Sequence, residues 1–234
     1  MDKIYGRKPV IDAIDSGVKI YRAYIIKQNS KIVDEIVSKL NKNNIEINFV
    51  DKRFFDKIDM NHQGVMVEAE SFKYKDLSQL DKYQRLIILD QIEDPHNLGA
   101  IIRSAESFGF DGVIIPERRS ASVSPIVYKT SAGSINNINI IMVKNTNRAI
   151  EKIKEAGFWV YGLACEASSE IDKADLKGKV CLVVGNEGRG LSRLVRENCD
   201  ILINIPMKGF VNSLNASVAS AIAMYEVLRQ NGFS

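Results

Sequence analysis

"RLIILDQIEDPHNLGAIIRSAESFGFDGVIIP", residues 85–116, decides the fold, because it joins two short apolar runs through a longer segment with helical spacing. Two buried strands joined in this way are typical of a β-α-β unit in a parallel sheet. Four further apolar runs follow along the chain: "INIIMV", "FWVYGL", "VCLVVG" and "ILINIP". Because such strands alternate with helices where both sheet faces are covered, we predict an α/β protein with a doubly wound parallel sheet of about six strands over residues 85–234.

The first third of the chain has a different pattern of short strands and helices. In chain order it predicts a strand at 21–27, a helix at 30–44, a strand at 45–50, a short helix at 51–58 and a strand at 64–70. These elements form a small α/β domain over residues 1–74. The polar stretch "KYKDLSQLDKYQ" has no sustained apolar period and predicts a linker over residues 75–84.

The composition is that of a globular protein, with 45% apolar and 26% charged residues in a chain of 234. No apolar run reaches the ~18 residues that span a bilayer, and the N-terminus has no secretory pattern, so we expect a cytoplasmic protein without a membrane segment. Cys165, Cys181 and Cys199 lack metal-ligand spacing, so we expect neither a metal site nor a disulfide framework.

The excess positive charge lies entirely in the first third. Residues 1–75 contain 14 basic and 11 acidic residues, and the remainder contains 18 of each. This distribution suits a module that binds a polyanion, although a solvated surface explains the charge count equally well.

Unusual residues follow the first strand of the predicted sheet, at the edge where α/β proteins bind ligands. Asn97 is predicted to cap the helix and Gly109 to end it. Arg103 lies opposite the buried stripe, one turn above Gly99 and Ala100, and its side chain leans back toward the strand end. It either reaches a ligand or is an exposed surface arginine.

Two later strand ends are also unusual. "VVGNEGRGLS" (183–192) is a glycine-rich turn containing Glu187, and it matches neither a Walker A loop nor G-x-G-x-x-G. "IPMKGFVNSLNASVASAIAMYE" (205–226) predicts a helix capped by Ser213. That helix has one stripe of large apolar residues and an opposite stripe of small ones, so we expect both sides to be covered.

Taken together, "DPHNLGAIIRSA", "GNEGRGLS" and "IPMKGFVNSLNASVA" resemble the three signature motifs of the SpoU/TrmH family of S-adenosylmethionine-dependent RNA ribose 2′-O-methyltransferases. The front third, with "IYGRKPVIDAI" and "NHQGVMVEAE", resembles the ribosomal-protein-like RNA-binding domain of the RlmB branch, whose members modify a guanosine of 23S ribosomal RNA. The resemblance implies a SPOUT methyltransferase domain with a C-terminal trefoil knot, S-adenosyl-L-methionine as cofactor, RNA as partner, and a homodimer formed through helices of that domain.

The resemblance also assigns roles to particular positions. The active-centre positions are Arg103, Asn97, Glu187 and Asn215, with Asn97 orienting Arg103. The cofactor-lining positions are Gly185, Ile205, Met207, Ser213 and Leu214. The positions implied to bind RNA are Arg7, Lys8, Arg119 and Lys129. Ala216 departs from the family pattern, in which valine is common at that position.

Arginine stays protonated in essentially all protein sites, so Arg103 is a poor candidate for a simple base. We expect it to pair with the substrate phosphate and to stabilise the developing alkoxide, while the proton leaves through that phosphate or through Glu187. Three alternatives stay open at this point. They are a transfer-RNA ribose methyltransferase, a non-catalytic RNA-binding protein, and a hydrolase using His96 or His62, although the sequence has no G-x-S-x-G elbow.

Overall fold

The computed structural model describes residues 1–28, 30–56, 58, 61–210 and 213–232. The chain divides into two compact units, Met1–Lys73 with Val123–Lys129, and Tyr74–Ser122 with Thr130–Ser234. The expected division into consecutive stretches therefore differs in one respect, because the segment Val123–Lys129 belongs with the first unit.

The first unit is a four-stranded sheet with helices. Its elements are β1 (Asp2–Tyr5), α1 (Arg7–Asp15), β2 (Ile20–Ile26), α2 (Lys31–Lys42), β3 (Glu46–Val50), α3 (Lys52–Phe55) and β4 (Val65–Ala69). The strand order is β1-β4-β2-β3, with β2 and β3 parallel and the other neighbours antiparallel. Apolar residues of α1 and α2, such as Val10, Ile36 and Leu40, form one core with Ile25 and Val67 of the sheet. The pattern did not predict β1 and α1.

The second unit contains the predicted parallel sheet. Its elements are β5 (Arg85–Asp90), α4 (Pro95–Ser107), β6 (Gly112–Pro116), β7 (Asn139–Val143), α6 (Thr146–Glu155), β8 (Trp159–Leu163), β9 (Ser169–Glu170), β10 (Val180–Gly185), α7 (Arg193–Asn198), β11 (Ile201–Asn204) and α8 (Ala216–Asn231), while α5 (Pro125–Thr130) lies almost wholly in the segment grouped with the first unit. The strand order is β7-β6-β5-β10-β8-β11-β9, and every neighbouring pair is parallel. The predicted α/β class is confirmed, with β9 as an additional two-residue strand.

Helices cover both faces of this sheet, which explains its continuous apolar strands. Residues 86–89 of β5 are completely buried. On one face, Ile150 and Ile153 of α6 and Val195 of α7 share a core with alternate residues of β5 and β10. The helices α4 and α8 pack against each other, and both contact the sheet. No helix in the described ranges is long and apolar enough to cross a bilayer.

The stretch expected to be a linker is packed onto the second unit. The backbone of Lys75 hydrogen-bonds to β7, donating to the Ile140 carbonyl at 2.8 Å and accepting from Met142 at 3.1 Å. A 3₁₀-helix over Leu77–Lys82 follows, and Leu80 and Tyr83 are buried in the core of the second unit. Leu77 also packs against this core, so a few apolar side chains anchor a mostly polar segment.

Two predicted helix caps are wrong, and both corrections affect the site. The cap of α4 is Asp94, whose carboxylate accepts from the His96 amide at 2.9 Å, because Pro95 occupies the first helical position. Asn97 is therefore inside the first turn, where it is buried. The cap of α8 is Asn215, not Ser213. Gly109 does end α4, with a φ of 70°.

In the described ranges, the two sides of α8 differ in how far they are covered. The small residues Ala216, Ser220 and Ala223 are buried. On another side of the helix, Val218 and Tyr225 are each 47% exposed. The small-residue stripe is therefore covered as expected, whereas Val218 and Tyr225 on the large-residue stripe are half-exposed in the described chain.

Candidate active site

A cavity of about 330 Å³ lies at the carboxyl ends of β8, β10 and β11. Its volume is within the range of small-molecule sites, roughly 300–1,000 Å³. All five positions assigned to the cofactor by the resemblance line this cavity: Gly185, Ile205, Met207, Ser213 and Leu214. The arrangement follows the general rule that open parallel sheets bind ligands beyond the carboxyl ends of their strands.

The glycine-rich turn after β10 forms one wall of the cavity. Asn186 and Gly190 close the turn, because each donates its backbone amide to the other's carbonyl, at 3.1 and 2.8 Å. A Cβ atom on Gly185 would lie 2.2 Å from the Gly190 carbonyl carbon, so only glycine fits there. Gly190 has a φ of +65°, which also favours glycine.

The turn is tied to the loop that follows β5. The Asn186 side chain donates to the Gln91 carbonyl at 3.0 Å. The Ser192 amide donates to the carboxylate of Asp90 at 2.8 Å, and Asp90 is buried at the end of β5. These bonds hold the two strand ends in a fixed relation, which is the preorganisation that a binding site needs.

Three of the predicted active-centre residues meet at the rim of the cavity. The carboxylate atom Glu187 Oε1 accepts from Asn97 Nδ2 at 2.5 Å and from Asn215 Nδ2 at 2.6 Å. Asn215 Nδ2 also donates to Asn97 Oδ1 at 3.1 Å. The Asn215 Oδ1 atom caps α8 by accepting from the amides of Ser217 and Val218. Residues from three separate motifs therefore form one hydrogen-bonded cluster.

The fourth predicted active-centre residue, Arg103, is outside this cluster. It is exposed on α4, and within the described part of the chain it has no hydrogen-bond or ion-pair partner. The resemblance implied that Asn97 orients Arg103, but the hydrogen bonds of Asn97 go to Glu187 and Asn215 instead. A guanidinium group without a protein partner is available to an external anion.

The positions assigned to RNA differ in their surroundings. Arg7 donates from its backbone amide and its Nε atom to Gln63, at 3.3 Å each, while Lys8 is exposed. Arg119 is also exposed, with a φ of 56°. Lys129 is already paired, because its Nζ atom lies 2.7 Å from a carboxylate oxygen of the buried Asp12.

Sequence reasoning missed the cavity residues that follow β8. Cys165 and Glu166 line the cavity from the turn after that strand, and Arg196 of α7 lines it beside Glu166. The rule that directed attention to the ends of β5, β10 and β11 applies equally to β8. However, "LACEA" contains no glycine, so this strand end did not attract notice.

Cys181, Cys199 and His62 are held in structural surroundings. Burial raises the pKa of Cys199 to about 12 and raises that of the fully buried Cys181 well above its usual value. His62 accepts from the Gly64 amide at 2.9 Å and stacks on Phe55. In the part of the chain that the structure describes, no group of three or more His, Cys, Asp or Glu side chains could hold a metal ion.

The fold and the cavity define a class: doubly wound α/β proteins that bind a small molecule beyond their strand ends. A family model described as the SpoU rRNA Methylase family matches residues 84–225. A second model, described as RNA 2′-O ribose methyltransferase substrate binding, matches residues 3–75.

Individual relatives agree with these family matches. A Staphylococcus saprophyticus protein whose name places it among TrmH family tRNA/rRNA methyltransferases is 42% identical, covering 98% of this chain and 96% of its own length. A Bacillus subtilis protein with the same family name, YacO, is 37% identical over 98% of this chain and 96% of its own. The crystal structure of an AdoMet-bound rRNA methyltransferase from Sinorhizobium meliloti has a TM-score of 0.65 at 28% identity, covering 97% of this chain and 86% of that one. The chain therefore belongs to the SpoU rRNA methylase family, a family of RNA methyltransferases.

Proposed function

We propose that this chain transfers a methyl group from S-adenosylmethionine to the ribose 2′-hydroxyl of an RNA nucleotide, and that the nucleotide is a guanosine of 23S ribosomal RNA. One observation carries the proposal. Asn97, Glu187 and Asn215, contributed by three separate motifs, meet at the rim of a cavity that is lined by all five expected cofactor positions.

The cavity has the chemistry to hold the methyl donor. Backbone amide and carbonyl groups of the closed glycine turn can bind polar edges of the adenosine. The absence of a side chain at Gly185 lets the Gly190 backbone pack closely against the end of β10. Apolar residues such as Leu163, Ile203 and Ile205 provide surfaces for a flat ring. The AdoMet-bound structure of the Sinorhizobium meliloti protein supports this assignment. When bound, S-adenosylmethionine would supply an activated methyl group and leave as S-adenosylhomocysteine.

Residues of the chain orient the nucleotide and handle its proton. The two amide groups of Asn97 and Asn215 fix the Glu187 carboxylate, whose second oxygen is left to accept the 2′-hydroxyl proton or to orient that hydroxyl. Arg103 pairs with the phosphate beside the reacting ribose and stabilises the developing alkoxide, since its guanidinium is unpaired in the described chain. The proton leaves through that phosphate or through Glu187.

The first unit supplies RNA-binding surface in this proposal. Arg7, Lys8 and Lys52 line a groove of about 950 Å³, in which Glu35 is the one acidic residue among the described lining residues. Its positive charge suits phosphates, and the Gln63 amide in the same groove can hydrogen-bond to an unpaired base. Arg119, in the second unit, is available to a phosphate, whereas Lys129, in the segment grouped with the first unit, contributes less because it is paired with Asp12.

The exposed apolar side of α8 supports a homodimer. Val218, Ile222 and Tyr225 recur at helical spacing and are each at least 39% exposed. Such a row is typical of a helix that packs against a second subunit. We expect the enzyme to act in the cytoplasm, where its RNA substrate is made.

A transfer RNA is the second candidate substrate, because the names of the relatives include both tRNA and rRNA methyltransferases. Both substrates can be tested by incubating purified chain and trideuteromethyl-labelled donor with RNA from a strain lacking the gene. Nucleoside mass spectrometry should then find the label on ribose of a guanosine in 23S ribosomal RNA. Label confined to transfer RNA would favour the second candidate, and label on a base would contradict ribose methylation.

A further inference from the structure

The turn after β8 presents two side chains to the cavity from a fixed backbone. The Ala164 amide donates to the Ile203 carbonyl of β11 at 3.0 Å, and the Ala167 amide closes the turn by donating to the Ala164 carbonyl at 3.1 Å. The Asn204 side chain also donates to the Ala167 carbonyl. The tip of this anchored turn is Cys165 and Glu166, and both line the cavity.

An ion pair orients Glu166 within the cavity wall. Arg196, on α7, donates from Nη1 to Glu166 Oε1, and Arg196 lines the same cavity. In the described chain the other carboxylate oxygen, Oε2, has no hydrogen-bond partner. An exposed ion pair contributes little to folding, so stability alone is a weak reason for placing this pair here.

We propose that Glu166, positioned by Arg196, accepts hydrogen bonds from the ribose hydroxyls of the methyl donor and so makes the cavity selective for an adenosine with an intact diol. This inference rests on the proposed function. A carboxylate can accept from two neighbouring hydroxyls at once, and an acidic residue beyond a parallel strand binds ribose in the same manner in dinucleotide-binding folds.

The position of Glu166 in the sheet favours the ribose over the amino-acid end of the donor. Asn97 follows β5 and Glu187 follows β10, and Asn215 reaches them from the start of α8, so the reacting end of the donor belongs beside β5 and β10. Glu166 follows β8, next in the sheet order, beside the apolar residue Leu163. The apolar lining suits the adenine ring, and the ribose is the part of the ligand bonded directly to that ring.

The experiment measures the affinity of the full chain for S-adenosylhomocysteine and for its 2′-deoxy and 3′-deoxy analogues by calorimetry. Wild type should lose about tenfold to a hundredfold in affinity when a hydroxyl is removed, the effect of a hydrogen bond to a charged group. Glu166→Gln should weaken S-adenosylhomocysteine binding to a similar extent and should bind the deoxy analogues nearly as well as the parent compound.

Matched controls separate the role of the carboxylate from general effects. Glu170→Gln removes another surface carboxylate, paired with Lys173 and outside the cavity lining, and should keep the wild-type discrimination between ligands. 5′-Methylthioadenosine retains the ribose and lacks the amino-acid end, so Glu166→Gln should weaken its binding as well. If this variant binds methylthioadenosine like wild type, Glu166 serves the amino-acid end and the inference is wrong.

Failure of the inference and failure of the proposed function give different results. If wild type binds S-adenosylhomocysteine and its two deoxy analogues with equal affinity, the ribose assignment is overturned. This outcome does not depend on whether the Glu166→Gln variant folds. If wild type binds none of these ligands, the proposed function itself fails.

Discussion

At the scale of single residues, the proposed chemistry needs a carboxylate held by two amides and a guanidinium without a partner in the described chain. Glu187 is exposed, yet its Oε1 atom is fixed by Asn97 and Asn215. Arg103 is exposed too, but in the described chain nothing pairs with it. In the proposed mechanism, Glu187 is therefore a preorganised group, and Arg103 is a cation that the substrate phosphate pairs with.

Arg103→Lys should separate chemistry from cofactor binding. Lysine keeps the charge but loses the planar guanidinium, so kcat should fall by about 10²–10³, the effect of losing one transition-state donor. The affinity for S-adenosylhomocysteine should stay within about twofold of wild type, because the cavity lining is untouched. Single-turnover methylation and calorimetry measure the two quantities.

Arg148→Lys is the matched control, since Arg148 is an exposed arginine near the start of α6 and outside the cavity lining. It should leave both quantities unchanged. If the Arg103→Lys variant retains the wild-type kcat, the role proposed for Arg103 is wrong.

The three thiols should differ in reactivity, because the thiolate is the reactive form. Burial raises the pKa of Cys199 to about 12 and the pKa of Cys181 well above its usual value, so both stay protonated at pH 8. Cys165 is exposed in the cavity wall. Iodoacetamide at pH 8 should therefore modify Cys165 first, and S-adenosylhomocysteine should slow that reaction. The labelling is measured by peptide mass spectrometry. Faster labelling of Cys199, or labelling of Cys165 at the same rate with and without S-adenosylhomocysteine, would disprove the prediction.

At the scale of elements, periodicity predicted most strands and helices, and tertiary contacts decided the rest. Six strands of the parallel sheet are continuous apolar runs, which is why the pattern found them, whereas β9 is too short to have a pattern. The helix starts were displaced because Pro95 and Asn215 set them through local geometry. The cavity positions came from a family resemblance, and Glu166 was missed because the turn after β8 contains no glycine to mark it. The trefoil knot implied by the resemblance stays a prediction.

Gly185→Ala tests the glycine turn as an element. The new Cβ would meet the Gly190 backbone at 2.2 Å, so the turn must move, with a loss of about 1–3 kcal/mol in the free energy of unfolding. Affinity for S-adenosylhomocysteine should fall at least tenfold, because the cavity wall is displaced. Denaturant unfolding and calorimetry give the two values.

Gly188→Ala is the control from the same turn. Its Cβ would come no nearer than 3.7 Å to the Asn186 side chain, so stability and affinity should stay close to wild type. If Gly188→Ala lowers stability and affinity as much as Gly185→Ala does, the turn is sensitive to any added methyl group, and the explanation from the close contact at Gly185 is wrong.

At the scale of the whole molecule, each unit has its own core and its own proposed task. The parallel-sheet unit contains the cavity and the active-centre cluster, and the first unit contains the basic groove. The excess of basic residues in the first third was the one global signal of a polyanion partner. Composition could not locate the groove, because its lining comes from residues far apart in sequence.

Ile222→Glu should dissociate the proposed homodimer. A charge in the middle of the exposed row on α8 would be buried without a partner on association, which is strongly unfavourable. Sedimentation should change from dimer to monomer, while Ile32→Glu, on the exposed side of α2, should not alter it. A wild-type protein that sediments as a monomer would contradict the dimer directly.

The most direct test of the central claim is calorimetric titration of the purified chain with S-adenosylhomocysteine. We expect one binding site per chain, lost or weakened at least tenfold in Gly185→Ala and preserved in Arg103→Lys. A well-folded wild-type chain that takes up no ligand, or whose affinity is indifferent to Gly185→Ala, would contradict the claim that this cavity holds the methyl donor.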